Sequence, residues 1–132
     1  MKFKVELIDL KSRYIEERSK ILSILDKNLK RGSLVLTPEL EQLEKKIAKY
    51  TKTKFCLGLN SGTDALMMAL WSCGIKKGDE VITSAISFVA TAGAIVHLGA
   101  KPVFADVRED LNIDPESIEK LITKKTKVIM PV

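Results

Sequence analysis

From residue 55 onward, short apolar runs alternate with helix-like stretches, and Gly or Asp-Pro pairs mark the joints. A strand that runs through a helix into another apolar strand needs a crossover, and crossovers build parallel sheets with helices packed on both faces. Residues 55–59 (FCLGL) read as a buried strand, 60–62 as a turn and 63–73 as a helix closed by Gly74. A second strand falls at 81–83 and a second buried helix at 88–98, closed by Gly99. Residues 102–105 read as a third strand. Asp114-Pro115-Glu116 then starts a helix running to about Ile122, and 126–132 opens a fourth strand. Each crossover is expected to be right-handed. The fold class read here is α/β, mostly parallel, with a helical arm in front.

That arm occupies residues 1–54, and the α/β part occupies 55–132. Leu10, Tyr14, Ile21, Leu22, Leu25 and Leu29 fall on one face at helical spacing, and Gly32 is a plausible stop. Thr37-Pro38-Glu39 is the start signal of a second helix, with an N-cap, a first-turn proline and a first-turn acid. Leu40, Leu43, Ile47 and Ala48 form its stripe.

Charge divides the same way. Residues 1–54 carry 14 Lys/Arg against 8 Asp/Glu, and residues 55–132 carry 8 against 9, within an overall net charge of +5. The lysines of the basic half follow helical periods and do not alternate with aromatics, so they read as a solvated face rather than a nucleic-acid track. The opening MKFKVELIDLK lacks the apolar core of a signal peptide. Residues 81–100 contain no Asp, Glu, Lys or Arg and are long enough to span a bilayer. Their Ser, Thr, Gly and Ala content reads better as a strand, a loop and a buried helix in series. Cys56 and Cys73 lie in apolar runs and are expected as small buried hydrophobes, and no Cys/His cluster has the spacing of a zinc site. The sequence stops inside an apolar strand, so the expectation is a piece of a longer protein.

The strongest chemical signal is Asn60-Ser61-Gly62-Thr63-Asp64. A strand leaving through a glycine turn into a helix start presents unpaired N–H groups at a positive dipole end, which suits a phosphate. Gly62 allows close backbone approach and Thr63 adds a hydroxyl. On spacing alone, an N-capped helix without any ligand reads equally well, and the segment is neither a P-loop nor a dinucleotide fingerprint. Phe88 follows the second strand. Ligands of open α/β sheets sit beyond the carboxyl ends of strands, so Phe88 either stacks on a planar ring or belongs to the core. His97 reads as a structural helix-end residue; Trp71, Met67 and Met68 read as core.

SGTDALMMAL, followed by GIKKGDEVITSAISFVATAGAIVHLGAKPVFADV and NIDPESIEKLITKKTKVIMPV, resembles the start of the DegT/DnrJ/EryC1/StrS family. LIDLKSRY and PELEQLEKKIAKY resemble that family's opening. One departure is Leu36-Thr37-Pro38, where many members carry a glycine before the proline. The resemblance implies a fold type I aminotransferase that uses pyridoxal 5'-phosphate. Such an enzyme moves an amino group, usually from glutamate, to a nucleotide-linked keto-sugar. It implies that Gly62, Thr63 and Asp64 hold the cofactor phosphate and that Phe88 stacks on the pyridine ring. The family's cofactor-binding lysine and the Asp partner of the ring nitrogen have no counterpart in these residues. No catalytic residue is therefore assigned, and no metal. The resemblance further implies a cytoplasmic homodimer with a shared active site and neither nucleic acid nor membrane as partner. Two other readings remain: a sugar dehydratase of the same family, and a non-catalytic phosphate-binding module.

Overall fold

The computed structural model describes residues 7–132, so the first six residues of the opening stretch, read above as lacking a signal core, lie outside the described residues. The chain divides into two compact units, Met1–Gly58 and Leu59–Val132.

In the first unit, α1 spans Leu10–Arg31. Asp9 caps it, accepting from the Ser12 amide at 2.9 Å and the Ser12 hydroxyl at 2.6 Å. Gly32 ends it in the left-handed conformation (φ 67°), which costs least without a Cβ. The helix forms where its periodicity predicts, yet it buries no residue; the six stripe residues are 40–69% exposed. Helix α2 spans Pro38–Thr51, with the Thr37 hydroxyl accepting from the Leu40 amide at 3.3 Å. Glu39, in its first turn, meets Arg31 at 2.7 Å and Lys27 at 3.9 Å. Hydrogen bonding from Arg31 is the main cause that lowers the Glu39 carboxyl to a pKa of about 2.

The strand expected at 55–59 is not formed. A strand exists only through a ladder partner, and among the described residues this segment has none. Phe55 and Leu57 are 75% and 79% exposed instead. Gly58 donates its N–H to the Glu44 carboxylate at 2.7 Å. A Cβ on Gly58 would sit 2.6 Å from Leu40 Cδ1, so the tip of that side chain on α2 would have to shift.

The second unit begins with α3 (Gly62–Ser72), followed by β1 (Glu80–Ser84), α4 (Ala90–His97), β2 (Lys101–Ala105), α5 (Pro115–Leu121) and β3 (Thr126–Met130). The sheet order is β2-β1-β3, all parallel, which bears out the α/β reading with three strands rather than four. All five residues of central β1 are buried, as a strand covered on both faces requires. The 81–100 stretch is therefore β1, a loop and the eight-residue α4. Among the described residues no helix is long and apolar enough to cross a membrane.

Leu70, Ile75, Val81, Ala94, Ile95 and Ala100 form the core. Full burial of each larger aliphatic side chain contributes about 1.5–3 kcal/mol. At the amino end of β1, Glu80 is 8% exposed; it accepts from the Thr123 hydroxyl at 2.7 Å and Lys101 Nζ at 3.3 Å. Three core expectations fail. Trp71 is 64% exposed, Met68 is exposed, and Cys73 is exposed at the α3 C-cap, because only the Leu70 side of that helix turn faces the core; Cys56 is half-buried.

Candidate functional site

The site is built where α3 begins and where β1 ends. Ser61 is extended (φ −154°) and caps α3; its carbonyl accepts from the Ala65 amide at 3.0 Å. Its hydroxyl accepts from the Asp64 amide at 3.1 Å and donates to the Asp64 carboxylate at 3.0 Å. Among the described residues, the Gly62 and Thr63 amides have no acceptor. Two N–H groups at the positive end of an 11-residue helix are thus left for a ligand. The Asp64 amide, also expected to bind, is already engaged by Ser61.

Gly62 tests whether the turn fits a phosphate. Its φ lies outside the left-handed region, and an added Cβ would meet nothing within 4 Å. Neither backbone conformation nor packing therefore requires glycine. The space beside Gly62 is open, and a phosphate on the Gly62 and Thr63 amides fits there.

The loop from β1 to α4 supplies the other wall. Ser84 is buried, and its hydroxyl accepts from the Ile86 amide at 3.0 Å. The Ser87 and Thr91 hydroxyls share a 2.6 Å hydrogen bond. The Thr91 amide donates to the Phe88 carbonyl at 3.0 Å. Phe88 lies ahead of α4 and is 76% exposed, so it is not core.

Gly62, Thr63, Leu66, Phe88, Ala90 and Thr91 line one open cleft of about 420 Å³. Three of the four sequence-predicted residues meet there: Gly62, Thr63 and Phe88. Asp64 stands behind the cleft with its carboxylate turned to Ser61. Sequence reasoning missed Thr91, although the four-residue spacing of Ser87 and Thr91 across a helix start carried a signal for their contact. A second hollow of about 460 Å³ lies in the first unit, between α2 and residues 54–57. Its lining includes no helix start, and its two cations are engaged: Lys54 lies over the Phe55 ring at 5.3 Å and Lys45 pairs with Glu41 at 2.5 Å. The first cleft has what an anion with an attached flat ring needs: free donors on one wall and an exposed aromatic face on the other. Among the described residues, no group of three or more His, Cys, Asp or Glu could hold a metal ion.

The chain is 41% identical over 129 residues to a protein of Geobacillus stearothermophilus named pleiotropic regulatory protein, covering 97% of this chain and 35% of that one. It is 40% identical over 129 residues to the UDP-2-acetamido-2-deoxy-3-oxo-D-glucuronate aminotransferase of Pseudomonas aeruginosa, covering 97% and 36%. Among solved structures, it superposes on NtdA of Bacillus subtilis, determined with bound cofactor PMP, with a TM-score of 0.86 and 39% identity. That match covers 88% of this chain and 27% of NtdA. The chain thus spans about a third of the length of the curated relatives it matches. A single family model matches residues 15–132, taking in both units and the whole cleft. This chain belongs to the DegT/DnrJ/EryC1/StrS aminotransferase family.

Proposed function

We propose that the chain contributes the phosphate cup and one ring-stacking face of a pyridoxal-phosphate-dependent aminotransferase. The whole protein, in this reading, moves an amino group from an amino acid, glutamate by preference, to a keto-sugar carried on a nucleoside diphosphate. The observation that carries it is the meeting of the free Gly62 and Thr63 amides with exposed Phe88 around one cleft. Relatives that share this segment and act on nucleotide-linked sugars support it.

When bound, pyridoxal phosphate supplies the electron sink for amine transfer. This chain's residues bind and orient. The Gly62 and Thr63 amides, with the Thr63 hydroxyl, donate to the phosphate; Asp64 fixes the helix start through Ser61. Phe88 lies against one ring face and excludes water from it. Among the described residues, no lysine lines the cleft. The groups that move protons at the reacting carbon and pair with the ring nitrogen are therefore assigned to the rest of the whole protein. Residues 1–54 act in this reading as a helical arm and 55–132 as part of the cofactor-binding domain. The working form is a cytoplasmic homodimer with a shared site.

The test adds pyridoxal phosphate and glutamate to the whole protein and follows the cofactor's absorbance. Conversion to the aminated form, reversed by a nucleotide-linked keto-sugar, supports the reading. Binding without conversion points to the second reading, a non-catalytic phosphate-binding module. No binding at all overturns both.

A further inference from the structure

We propose that the Ser87–Thr91 hydroxyl pair is a positioning device that presets Phe88 for a flat ring in the cleft; this rests on the cofactor reading above. Phe88 is 76% exposed, so little packing holds it. An aromatic residue on a loose loop must be ordered when it stacks, and that entropy is subtracted from the affinity. Here the backbone on both sides of Phe88 is tied to one residue. The preceding side chain, Ser87, shares a 2.6 Å hydrogen bond with Thr91, and the Phe88 carbonyl accepts from the Thr91 amide at 3.0 Å.

Thr91 is a firm anchor. It lies in the first turn of α4 and is 7% exposed, next to the core residues Ala94 and Ile95 of the same helix. The N-cap residue of α4, Val89, makes no side-chain cap, and the Ser87–Thr91 bond is a side-chain tie across this helix start. Thr91 also lines the cleft with Phe88, and its hydroxyl is hydrogen-bonded to that of Ser87. In this proposal Thr91 acts through Phe88, as a positioning residue and not as a contact to the phosphate. A residue that acts only through Phe88 cannot cost more than loss of Phe88 itself.

The test uses the whole protein and two probes, pyridoxal phosphate and inorganic phosphate. The variants are Thr91→Val, Thr91→Ser, Ser87→Ala, Phe88→Ala and the double variant Phe88→Ala/Thr91→Val. Thr91→Val and Ser87→Ala should each weaken pyridoxal phosphate by roughly two- to tenfold, the range of one aromatic stacking contact. Inorganic phosphate affinity should not move. Thr91→Ser, which keeps the hydroxyl, should restore binding. In the Phe88→Ala background, Thr91→Val should add nothing, the sign that both act through one contact. If Thr91→Val misfolds, Ser87→Ala on the half-buried loop carries the test. The proposal is overturned if Phe88→Ala weakens pyridoxal phosphate while Ser87→Ala and Thr91→Val do not. It is equally overturned if Thr91→Val weakens both probes alike, or keeps its effect without Phe88. Phe88→Ala that binds pyridoxal phosphate as wild type does also overturns the proposal, while wild-type protein that binds none overturns the cofactor reading itself.

Discussion

Ser61 and Asp64 exchange two hydrogen bonds across the start of α3: the serine hydroxyl accepts from the aspartate amide at 3.1 Å and donates to its carboxylate at 3.0 Å. The pair stabilises the helix end but leaves a negative charge near a turn that presents donors to an anion. Asp64→Asn keeps a hydrogen-bonding side chain and removes the charge. Two unit charges about 4 Å apart in water repel by about 1 kcal/mol, and by less farther away. Inorganic phosphate should therefore bind up to about fivefold more tightly to Asp64→Asn, with the gain shrinking in high salt. Unchanged or weaker binding would show that the Asp64 carboxylate does not act on the cup.

Phe88→Ala should separate affinity from stability. A ring that is 76% exposed contributes little to folding, so the denaturation midpoint should move by no more than about 0.5 kcal/mol equivalent. Pyridoxal phosphate affinity should fall by about 0.5–1.5 kcal/mol. A loss of stability of about 3 kcal/mol or more, as for a buried aromatic, would return Phe88 to the core.

Glu80 joins three segments at the amino end of the sheet. The Thr123 hydroxyl is the main cause lowering its pKa below the ordinary 4.5; burial opposes it, and Lys101 assists. A carboxylate whose folded pKa is depressed contributes stability that is full above its unfolded value and is lost as pH falls through the folded one. Glu80→Gln should lower the denaturation midpoint at pH 7, and the gap to wild type should close on acidification below about pH 4.5. A gap that is constant across pH 3–7 would deny the carboxylate this role.

In the first unit, Glu39 gives a sharper number. Its carboxyl should titrate near 2 by NMR, below its ordinary 4.5, because Arg31 donates to it at 2.7 Å. Arg31→Ala should bring the midpoint back toward 4.5. The stability this pair contributes is present above pH 4.5 and disappears as pH falls toward 2. A wild-type midpoint near 4.5 would mean that the ion pair does not persist in solution.

Local signals were legible where the physics is local. Thr37-Pro38, Asp114-Pro115 and Gly32 mark helix ends because caps are satisfied within a turn, and all three function as caps. Elements that depend on distant partners were not legible. Residues 55–59 have strand composition, but a ladder needs a neighbour that sequence periodicity does not supply. The α1 stripe has the spacing of a buried face and is exposed, since periodicity predicts which side is apolar and not whether anything covers it. At the cleft, position alone marked Gly62 and Thr63 as a helix start and left Phe88 between ring and core; their proposed roles came from the family resemblance. The engagement of the Asp64 amide and the Ser87–Thr91 bond depend on rotamers, which residue types alone do not determine.

The last prediction is that the 132-residue chain by itself has no transaminase activity. Amine transfer needs a specific amine held beside the cofactor aldehyde, and the cleft residues Gly62, Thr63, Leu66, Phe88, Ala90 and Thr91 include none. They also include no acid to pair with the ring nitrogen, so a cofactor bound here would be a poor electron sink. Retention should be weak, resting on two amides, one hydroxyl and one stacking face. The experiment mixes the purified chain with pyridoxal phosphate, glutamate and a nucleotide-linked keto-sugar and measures amino-sugar against a protein-free control. Product should not exceed that control, while adding the whole protein should produce it. Steady turnover by the chain alone would place the amine-handling group within these 132 residues and overturn its assignment elsewhere.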